Sequence, residues 1–281
     1  MKTIKLSNGV EVPELGYGVY RIPENGSTKD CVIKALKRGY RHIDTAQIYR
    51  NEKEVGEAIK ESGIPRKEIF LTTKIWISNF PEDKCYDSFL VSLEKLGVDY
   101  VDLLLLHQPF GDYYAAWRCL ERIYKEGKAR AIGISNFWPN RFIDLIGHSE
   151  IAPMINQIEI NPFDQKVEYR KWMNKYHIVS EAWAPFAEGR NNIFSNPTLL
   201  KIAEAHNTYV ANVIERYLLD QNIIVLSTTT KEERMSTNQD VYSFTLTPEE
   251  EKEIKSLDTS SSSFFSHEGA ETAEMFNNLH R

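Results

Sequence analysis

Eight short runs of β-forming residues alternate with longer segments of helical periodicity, and this alternation limits the folds open to the chain. The run from Val101 to Leu106 lacks the alternation of a half-solvated strand, which indicates a parallel sheet buried on both faces. Eight such units in 281 residues predict a closed (β/α)8 barrel, or TIM barrel, over an open doubly wound sheet. The strand candidates are Leu15–Gly18, Arg41–Thr45, Ile69–Lys74, Tyr100–His107, Ala129–Ser135, Met154–Glu159, Ile178–Trp183 and Ile223–Ser227.

Two further elements are expected outside this alternation. The Asn8-Gly9 pair, between residues 3–6 and 10–12, is typical of a tight turn and predicts an N-terminal β-hairpin. Thr247, Pro248 and Glu250 form a capping box with proline at the first helical position, which predicts an extra C-terminal helix. Since no linker-like stretch divides the chain, residues 1–281 are expected to form one domain. The serine run 260–263 is interpreted as part of a mobile tail.

Charge and cysteine content exclude several classes of function. The chain has 34 Lys and Arg against 40 Asp and Glu, a net charge of −6, so no nucleic-acid partner is expected. Cys31, Cys85 and Cys119 are odd in number and lack metal-ligand spacing, so neither a disulfide framework nor a metal site is predicted. The N-terminus has no secretory apolar region, and no run approaches the roughly 18 apolar residues of a membrane helix. We therefore expect a cytoplasmic protein without a membrane partner.

Ionisable side chains stand at the ends of three consecutive strand candidates. Asp44, Lys74 and His107 lie near the ends of the second, third and fourth strands, and Tyr49 follows Asp44 by five positions. Active sites of (β/α)8 barrels form at the carboxyl ends of the strands, so these side chains are expected to meet at one mouth. Each residue alone would be an ordinary polar strand end, but their joint placement indicates a catalytic site.

These four residue types suit the reduction of a carbonyl group. A tyrosine hydroxyl is a poor acid near neutral pH, because its pKa is about 10. The Lys74 ammonium is expected to lower the pKa of Tyr49, and Asp44 would balance the lysine charge. A neutral His107 could donate a hydrogen bond to a substrate carbonyl. Two alternatives stay open: a purely structural ion pair between Asp44 and Lys74, or a Schiff base formed by Lys74 as in an aldolase or isomerase.

Two long motifs resemble the signatures of the aldo-keto reductases. Residues 39–46 read GYRHIDTA and are followed by Tyr49, Asn51-Glu52 and Val55-Gly56, while residues 128–137 read KARAIGISNF. The similarity extends from Leu15 to Arg234, and the short-tailed bacterial members that reduce dicarbonyls, methylglyoxal and keto-sugars such as 2,5-diketogluconate look most similar. The resemblance implies a barrel enzyme that uses NAD(P)H without a Rossmann domain or a metal. It makes Tyr49 the general acid and base, assisted by Lys74 and Asp44, and His107 the group that orients the carbonyl.

The same resemblance implies a cofactor site and a substrate pocket. Trp183 stands where the family most often has a tyrosine stacked on the nicotinamide ring, and residues 184–190 would follow the pyrophosphate. The carboxamide of nicotinamide would be held by Ser135, Asn136 and Gln157. The walls of the substrate pocket would be Tyr20, Trp76 and Phe110. Without the motifs, the two tryptophans would be interpreted as core aromatics, Gln157 as a buried amide and the Ser135-Asn136 pair as a helix N-cap.

The third family signature is altered in this chain. Where relatives have Pro-Lys-Ser, followed by Arg and Asn, the corresponding residues here are Ser227, Thr228, Thr229, Arg234 and Asn238. The missing lysine ordinarily neutralises the 2′-phosphate of NADPH, whereas Arg234 can still bind a phosphate. One lost charge-assisted contact is worth roughly 1.5–3 kcal/mol. We therefore predict NADP(H) as the cofactor, with use of NAD(H) also expected.

The expected activity is the reduction of a small aldehyde, dicarbonyl or keto-sugar by a monomeric enzyme. A short C-terminal segment after Ser263 disfavours the bulky steroid substrates that longer-tailed relatives bind. A non-catalytic subunit that binds or senses nicotinamide nucleotides is the remaining alternative, since a barrel can keep cofactor contacts after losing turnover. The other histidines are expected to be structural or at the surface, namely His42, His148, His177, His206, His267 and His280.

Overall fold

The structure is a computed structural model that describes residues 2–279, with the side chain of residue 82 excepted. Eight parallel strands close into a barrel in the order β10-β3-β4-β5-β6-β7-β8-β9. This confirms the predicted (β/α)8 architecture. The barrel strands are β3 (Leu15–Gly18), β4 (His42–Asp44), β5 (Phe70–Ile75), β6 (Val101–Leu106), β7 (Ala129–Ser135), β8 (Ile155–Glu159), β9 (Val179–Trp183) and β10 (Ile224–Ser227).

Helices surround the barrel in the segments between the strands, close to the predicted bounds. They are α1 (Ser27–Lys37), α2 (Glu52–Glu61), α3 (Glu82–Leu96), α4 (Tyr113–Lys125), α5 (Pro139–Gly147), α6 (Val167–Lys175), α7 (Pro197–Ala205) and α8 (Val210–Leu219). Three more follow the last strand: α9 (Glu232–Thr237), α10 (Pro248–Lys255) and α11 (Ala270–Asn278). The capping box at Thr247 is present as predicted, with the Glu250 side chain accepting from the Thr247 backbone N–H at 2.8 Å.

A hairpin covers the amino end of the barrel. Strands β1 (Thr3–Lys5) and β2 (Glu11–Pro13) pair antiparallel, as predicted from the Asn8-Gly9 turn. Val12 and Leu6 are buried and join the core, so the hairpin has an apolar face toward the barrel. Because β2 runs directly into β3, the hairpin lies at the end opposite the carboxyl ends of the strands. The mouth is left to the loops that follow each strand.

The outer helices pack so closely at one point that only glycine fits. A Cβ atom at Gly56, on α2, would lie 2.3 Å from the backbone oxygen of Leu96 at the end of α3. Glu54 on the same helix accepts hydrogen bonds from the backbone N–H groups of Gly26 and Lys29, at 2.5 and 3.0 Å. Since Gly26 has no side chain with which to cap α1, helix α2 caps its neighbour.

The C-terminal tail, residues 259–279, corrects one prediction and adds an element that was not predicted. The serine run was expected to be mobile, but the buried carboxylate of Glu159 fastens it to the end of β8. Glu159 accepts from the Ser262 hydroxyl at 2.5 Å and from the Ser263 backbone N–H at 2.9 Å. Arg190 donates to the backbone oxygen of Ser263 at 2.9 Å. The chain then continues into α11, whose Phe276 is buried at the mouth of the barrel.

Two features that residues 2–279 lack bear on partners and ligands. No helix in this part of the chain is long and apolar enough to cross a membrane. Within the same residues, no group of three or more His, Cys, Asp or Glu side chains is arranged to hold a metal ion.

Substitution of Gly56 by alanine is expected to destabilise the fold by about 1–3 kcal/mol, because helix α2 must move away from the Leu96 backbone. Gly147→Ala is the matched control, since a Cβ atom at Gly147 would meet nothing within 4 Å. Its effect should stay within about 0.5 kcal/mol. Urea denaturation of both variants measures the difference, and equal stabilities would contradict the close contact.

Candidate active site

The ends of β4 and β5 bring an ammonium group and a carboxylate together inside the mouth. Lys74 Nζ donates to Asp44 Oδ1 at 2.5 Å and to the backbone oxygen of Thr45 at 3.0 Å. The Tyr49 hydroxyl lies 3.5 Å from the same Nζ. Lys74 is completely buried and Asp44 nearly so, which leaves the pair little contact with water. The side chains that the sequence placed on neighbouring strands thus meet as expected.

Tyr49 reaches this pair from a short helical turn, Gln47–Tyr49, that follows β4. Its ring packs edge-on against the His107 ring, with centroids 5.5 Å apart, and lies 5.0 Å from the Tyr20 ring. Gln47, at the start of the turn, accepts the Trp76 backbone N–H at 2.9 Å. This bond ties the loop after β5 to the turn that carries Tyr49.

His107 directly follows β6 and is held through its backbone. Its N–H donates to the backbone oxygen of Ile75 at 3.1 Å, and its own backbone oxygen accepts from Asn136 Nδ2 at 3.1 Å. Burial, and then the positive charge of Lys74, lower the pKa of His107 well below its usual value. The imidazole is therefore neutral at physiological pH, as the sequence predicted, and can donate a single hydrogen bond from one ring nitrogen.

The protonation of Tyr49 differs from the expectation. The nearby ammonium was expected to lower the pKa of Tyr49, but the pKa is raised well above its usual value. Burial is the main cause, followed by the negative charge of Asp44. Lys74 makes its close contact with Asp44 rather than with the tyrosine hydroxyl, so it does not outweigh these effects. Tyr49 is thus protonated at physiological pH.

A polar network below the pair was not predicted. Gln157 Nε2 donates both to Asp44 Oδ2 at 3.0 Å and to Glu181 Oε2 at 2.8 Å. Glu181, on β9, is completely buried, and His42 Nε2 lies 3.7 Å from its other oxygen. The one indication of this network in the sequence was Glu181 itself, the single charged residue of the strand candidate 178–183. Gln157 was expected to face a cofactor amide, yet its amide nitrogen is engaged inside the barrel.

The ends of β7 and β9 meet beside this network. Ser135 Oγ donates to the Gln157 backbone oxygen at 2.9 Å, and Asn136 Nδ2 donates to Ser135 Oγ at 3.1 Å. Trp183 Nε1 donates to Asn136 Oδ1 at 2.9 Å. Four residues assigned to the cofactor by resemblance, Ser135, Asn136, Gln157 and Trp183, therefore form one continuous hydrogen-bonded shelf.

The remaining cofactor candidates lie on the rim where β10 meets β3. Ser227 is buried, and its hydroxyl interacts with the buried side chains of Tyr40 and Glu215. The backbone oxygen of Thr229 accepts from the Tyr17 hydroxyl at 2.6 Å. Thr228 and Arg234 are exposed, and Asn238 is buried at the end of α9. The rim thus offers hydroxyls and a guanidinium to the solvent.

Aromatic side chains wall the mouth, and the C-terminal tail supplies part of the wall. Trp76 packs edge-on against His107 with centroids 5.3 Å apart. Phe110 stacks on Phe276 of α11 at 4.9 Å, and Phe276 also contacts Trp76 at 6.1 Å. Tyr20, the third predicted wall residue, is 48% exposed and stands beside Tyr49.

The tail also covers the shelf of β7, β8 and β9. Phe264 packs against Trp183 with centroids 5.3 Å apart, and the His267 ring lies 6.4 Å from Trp183. Arg190 holds its guanidinium 4.4 Å from the centre of the Phe264 ring. His267 was expected to be structural or at the surface, but it stands at the mouth, as Phe264 and Phe276 do. No pattern in the sequence predicted that these tail residues would lie at the mouth.

Comparison with known proteins agrees with this geometry. A sequence model described as the Aldo/keto reductase family matches residues 14–259. The chain belongs to the aldo-keto reductase family. It is 42% identical over 256 residues to a glyoxal reductase of Bacillus subtilis (strain 168), covering 91% of this chain and 92% of that protein. It is 36% identical over 258 residues to methylglyoxal reductase DkgA of Escherichia coli (strain K12), covering 91% and 93%.

Solved aldo-keto reductases share the whole fold. MGS-M4, from a Medee basin deep-sea metagenome library, superposes with a TM-score of 0.92 at 38% identity, covering 95% of this chain and 99% of that one. The Bombyx mori enzyme AKR2E4, solved in complex with NADP, gives a TM-score of 0.88 at 31% identity and 94% coverage of both chains. This aldo-keto reductase is accordingly an oxidoreductase, and the relatives named above support carbonyl reduction.

The state of Lys74 argues against a nucleophilic role in this aldo-keto reductase. A Schiff base needs a free amine, whereas Lys74 donates to both a carboxylate and a backbone oxygen. The geometry therefore disfavours the aldolase or isomerase alternative.

Glu181 makes the stability of the enzyme depend on pH. Burial and the charge of Asp44 raise the pKa of Glu181 to about 8. Between about pH 4.5 and 8 the folded chain therefore keeps a proton that the unfolded chain has lost, and the free energy of unfolding falls as pH rises, by at most about 1.4 kcal/mol per unit. Glu181→Gln should flatten this decline in urea titrations from pH 5 to 8, whereas Glu24→Gln, an exposed control, should not. Parallel declines would show that Glu181 is ionised in the fold.

Proposed function

We propose that this protein reduces a small aldehyde, dicarbonyl or keto-sugar to the alcohol with NADP(H), and that it also accepts NAD(H). The observation that carries this proposal is the arrangement at the mouth: a protonated Tyr49 beside a neutral His107, with the Lys74 and Asp44 pair behind them. A proton donor and a hydrogen-bond donor side by side are what a carbonyl oxygen needs when a hydride reaches its carbon. The glyoxal and methylglyoxal reductases among the relatives support the same substrate class.

The residues of the shelf and the rim fit a nicotinamide cofactor. Trp183 offers an aromatic face beside the amide of Asn136, which suits a planar ring bearing a carboxamide. On the rim, the side chains of Thr228 and Arg234 are exposed. Hydroxyl and guanidinium donors suit phosphate groups. We assign the carboxamide to Ser135, Asn136 and Gln157, and the adenosine phosphate to Ser227, Thr228, Thr229, Arg234 and Asn238.

The chain's own residues handle the proton. When bound, the reduced nicotinamide supplies the hydride for the carbonyl carbon. His107 donates a hydrogen bond to the carbonyl oxygen and fixes its orientation. Tyr49 transfers its hydroxyl proton to that oxygen as negative charge develops there, because an alkoxide is a far stronger base than a phenolate. Lys74, kept charged by Asp44, then stabilises the phenolate that remains.

The raised pKa of Tyr49 fits the direction of reduction. Because Tyr49 is protonated before the reaction, none of the enzyme is in the phenolate form, which lacks the proton, at neutral pH. Since Lys74 lies 3.5 Å from the hydroxyl, its stabilising effect is greatest when the oxygen carries full charge. Tyr20, Trp76 and Phe110 bound the space next to these groups, and we assign them to the substrate pocket.

The proposed enzyme acts as a cytoplasmic monomer of one domain, without nucleic-acid or membrane partners. All the groups assigned above come from one chain, so the site needs no second subunit. The net charge of −6 supports the absence of a nucleic-acid partner.

Tyr49→Phe is expected to lower kcat for 4-nitrobenzaldehyde reduction by about 10²–10⁴-fold, because it removes only the transferable proton. The Kd for NADPH, measured by the quenching of tryptophan fluorescence, should change by less than about twofold. Tyr209→Phe, at a residue 65% exposed and outside the site, is the matched control and should keep full activity.

Initial rates of NADPH and NADH oxidation by the unaltered enzyme test the proposal itself. Turnover with 4-nitrobenzaldehyde and either cofactor is expected. If both cofactors bind but no aldehyde is reduced, the protein would be a nucleotide sensor. If Tyr49→Phe keeps most of the turnover, the proton must come from another group.

Thr228→Lys should restore a charge opposite the 2′-phosphate. KM for NADPH is expected to fall about 10- to 100-fold, as one charge-assisted contact is worth roughly 1.5–3 kcal/mol, while KM for NADH stays within twofold. Arg234→Gln should act in the opposite direction and raise KM for NADPH. Steady-state kinetics with both cofactors measure these changes, and a parallel shift for NADH would place the phosphate elsewhere.

A further inference from the structure

One glutamine side chain joins two neighbouring loops at the mouth. Gln47 begins the short helical turn Gln47–Tyr49, which carries the proposed proton donor. Its Oε1 accepts from the Trp76 backbone N–H at 2.9 Å and from Asn79 Nδ2 at 2.9 Å. Trp76 directly follows β5, and Asn79 ends the short turn Ile77–Asn79 that comes next. Two hydrogen bonds therefore link the turn of the proton donor to one aromatic wall of the mouth.

The other end of the same amide is held by a helix. Gln47 Nε2 donates toward the backbone oxygen of Ser88, the Ser88 hydroxyl and the Ser92 hydroxyl, each at 3.2 Å. Both serines stand on α3. Because donors face Oε1 and acceptors face Nε2, turning the amide over would lose the partners at both ends. The side chain of Gln47 is thus fixed in one direction, with its oxygen toward the loop after β5.

The loop after β5 depends on these two bonds. In the described part of the chain, segment 76–80 makes no other hydrogen bond to a different element. Its remaining bonds are internal, from the Asn79 N–H to the Trp76 oxygen at 2.9 Å and from the Phe80 N–H to the Ile77 oxygen at 3.2 Å. Gln47 therefore determines where the backbone of Trp76 lies. The indole on that backbone packs against His107, with ring centroids 5.3 Å apart.

The turn that carries Tyr49 has an attachment of its own. Asn51, two positions after Tyr49, is completely buried. Its Nδ2 donates to the backbone oxygens of Val19 and Ile22 at 3.0 and 3.1 Å. Loss of the Gln47 bonds should therefore release the loop after β5 while Tyr49 stays in place.

We propose that Gln47 is a positioning residue for the substrate: it holds Trp76 at a fixed place relative to Tyr49, so that a substrate resting on the indole presents its carbonyl to the proton donor. This inference rests on the proposed function, in which Trp76 bounds the substrate pocket. A substrate that contacts the wall is oriented by it, and the orientation of reacting groups strongly affects the rate. A substrate too small to rest on the indole does not depend on where the indole stands.

The experiment compares Gln47→Met with Gln47→Glu on 4-nitrobenzaldehyde and on methylglyoxal, a three-carbon compound. Methionine has a similar length but lacks the amide, whereas glutamate keeps an oxygen for the Trp76 N–H and Asn79. For Gln47→Met we expect kcat/KM for 4-nitrobenzaldehyde to fall about tenfold, with the value for methylglyoxal changing less than about twofold. Gln47→Glu should keep the wild-type ratio of the two values, because its charge acts on both substrates alike.

Gln221→Met is the matched control. Gln221 is a partly buried glutamine at the amino end of β10, and its Oε1 accepts from Arg170 at 2.9 Å. Because this bond lies at the end of the barrel opposite the mouth, its loss should leave kcat/KM for both substrates unchanged.

A double substitution tests whether the effect passes through Trp76. Trp76→Ala should itself lower the ratio of 4-nitrobenzaldehyde to methylglyoxal, and adding Gln47→Met should lower it no further, because the wall that Gln47 positions is gone. Asn79→Ala removes one of the two bonds and leaves Gln47 intact, so it should lower the ratio about threefold. This variant keeps the inference testable if Gln47→Met does not fold.

Three results would overturn the inference while the wild-type enzyme turns over both substrates. An equal fall with both substrates in Gln47→Met would mean that the side chain supports only the turn of Tyr49. Unchanged values would mean that it positions nothing. A further fall of the ratio in the Trp76→Ala background would mean that it acts by another route. A wild-type enzyme that reduced neither substrate would instead overturn the proposed function, and the inference with it.

Discussion

An ammonium group and a carboxylate lie 2.5 Å apart inside the barrel, and the mouth is arranged around them. Two charges removed from water are costly to bury, and such a pair is stable only if further hydrogen bonds satisfy its remaining atoms. Here the backbone oxygen of Thr45 accepts a hydrogen bond from Lys74, and Gln157 donates one to the second oxygen of Asp44. The support for the pair therefore comes from three strands. Closure of the barrel is the condition that brings these strands together.

The same pair explains why the neighbouring groups differ in protonation. Lys74 helps to keep His107 neutral, while Asp44 helps to keep Glu181 and Tyr49 protonated. Burial is the larger cause for each of these groups. The protonation of these groups thus depends first on their burial and then on the ion pair.

Local pattern was enough to predict the barrel, because each βα unit repeats the same change of periodicity. It also located Asp44, Tyr49, Lys74 and His107, since position along a barrel strand determines which end a side chain occupies. The tail could not be predicted in this way. Its attachment joins Ser262 to Glu159, 103 positions away, and a contact of that separation leaves no periodic trace. The Glu181 network was missed for the same reason, because its partners come from β4 and β8.

Because the tail is attached separately, through Glu159, proton transfer and the selection of substrates depend on different parts of the chain. The groups assigned to proton transfer stand on β4, β5 and β6, whereas the roof of the pocket is a segment of some twenty residues joined by a few hydrogen bonds. Sequence changes in that segment can alter which molecules enter without disturbing the buried ion pair. A lineage of such enzymes can therefore diversify its substrates by drift at one terminus while the reaction chemistry is inherited intact.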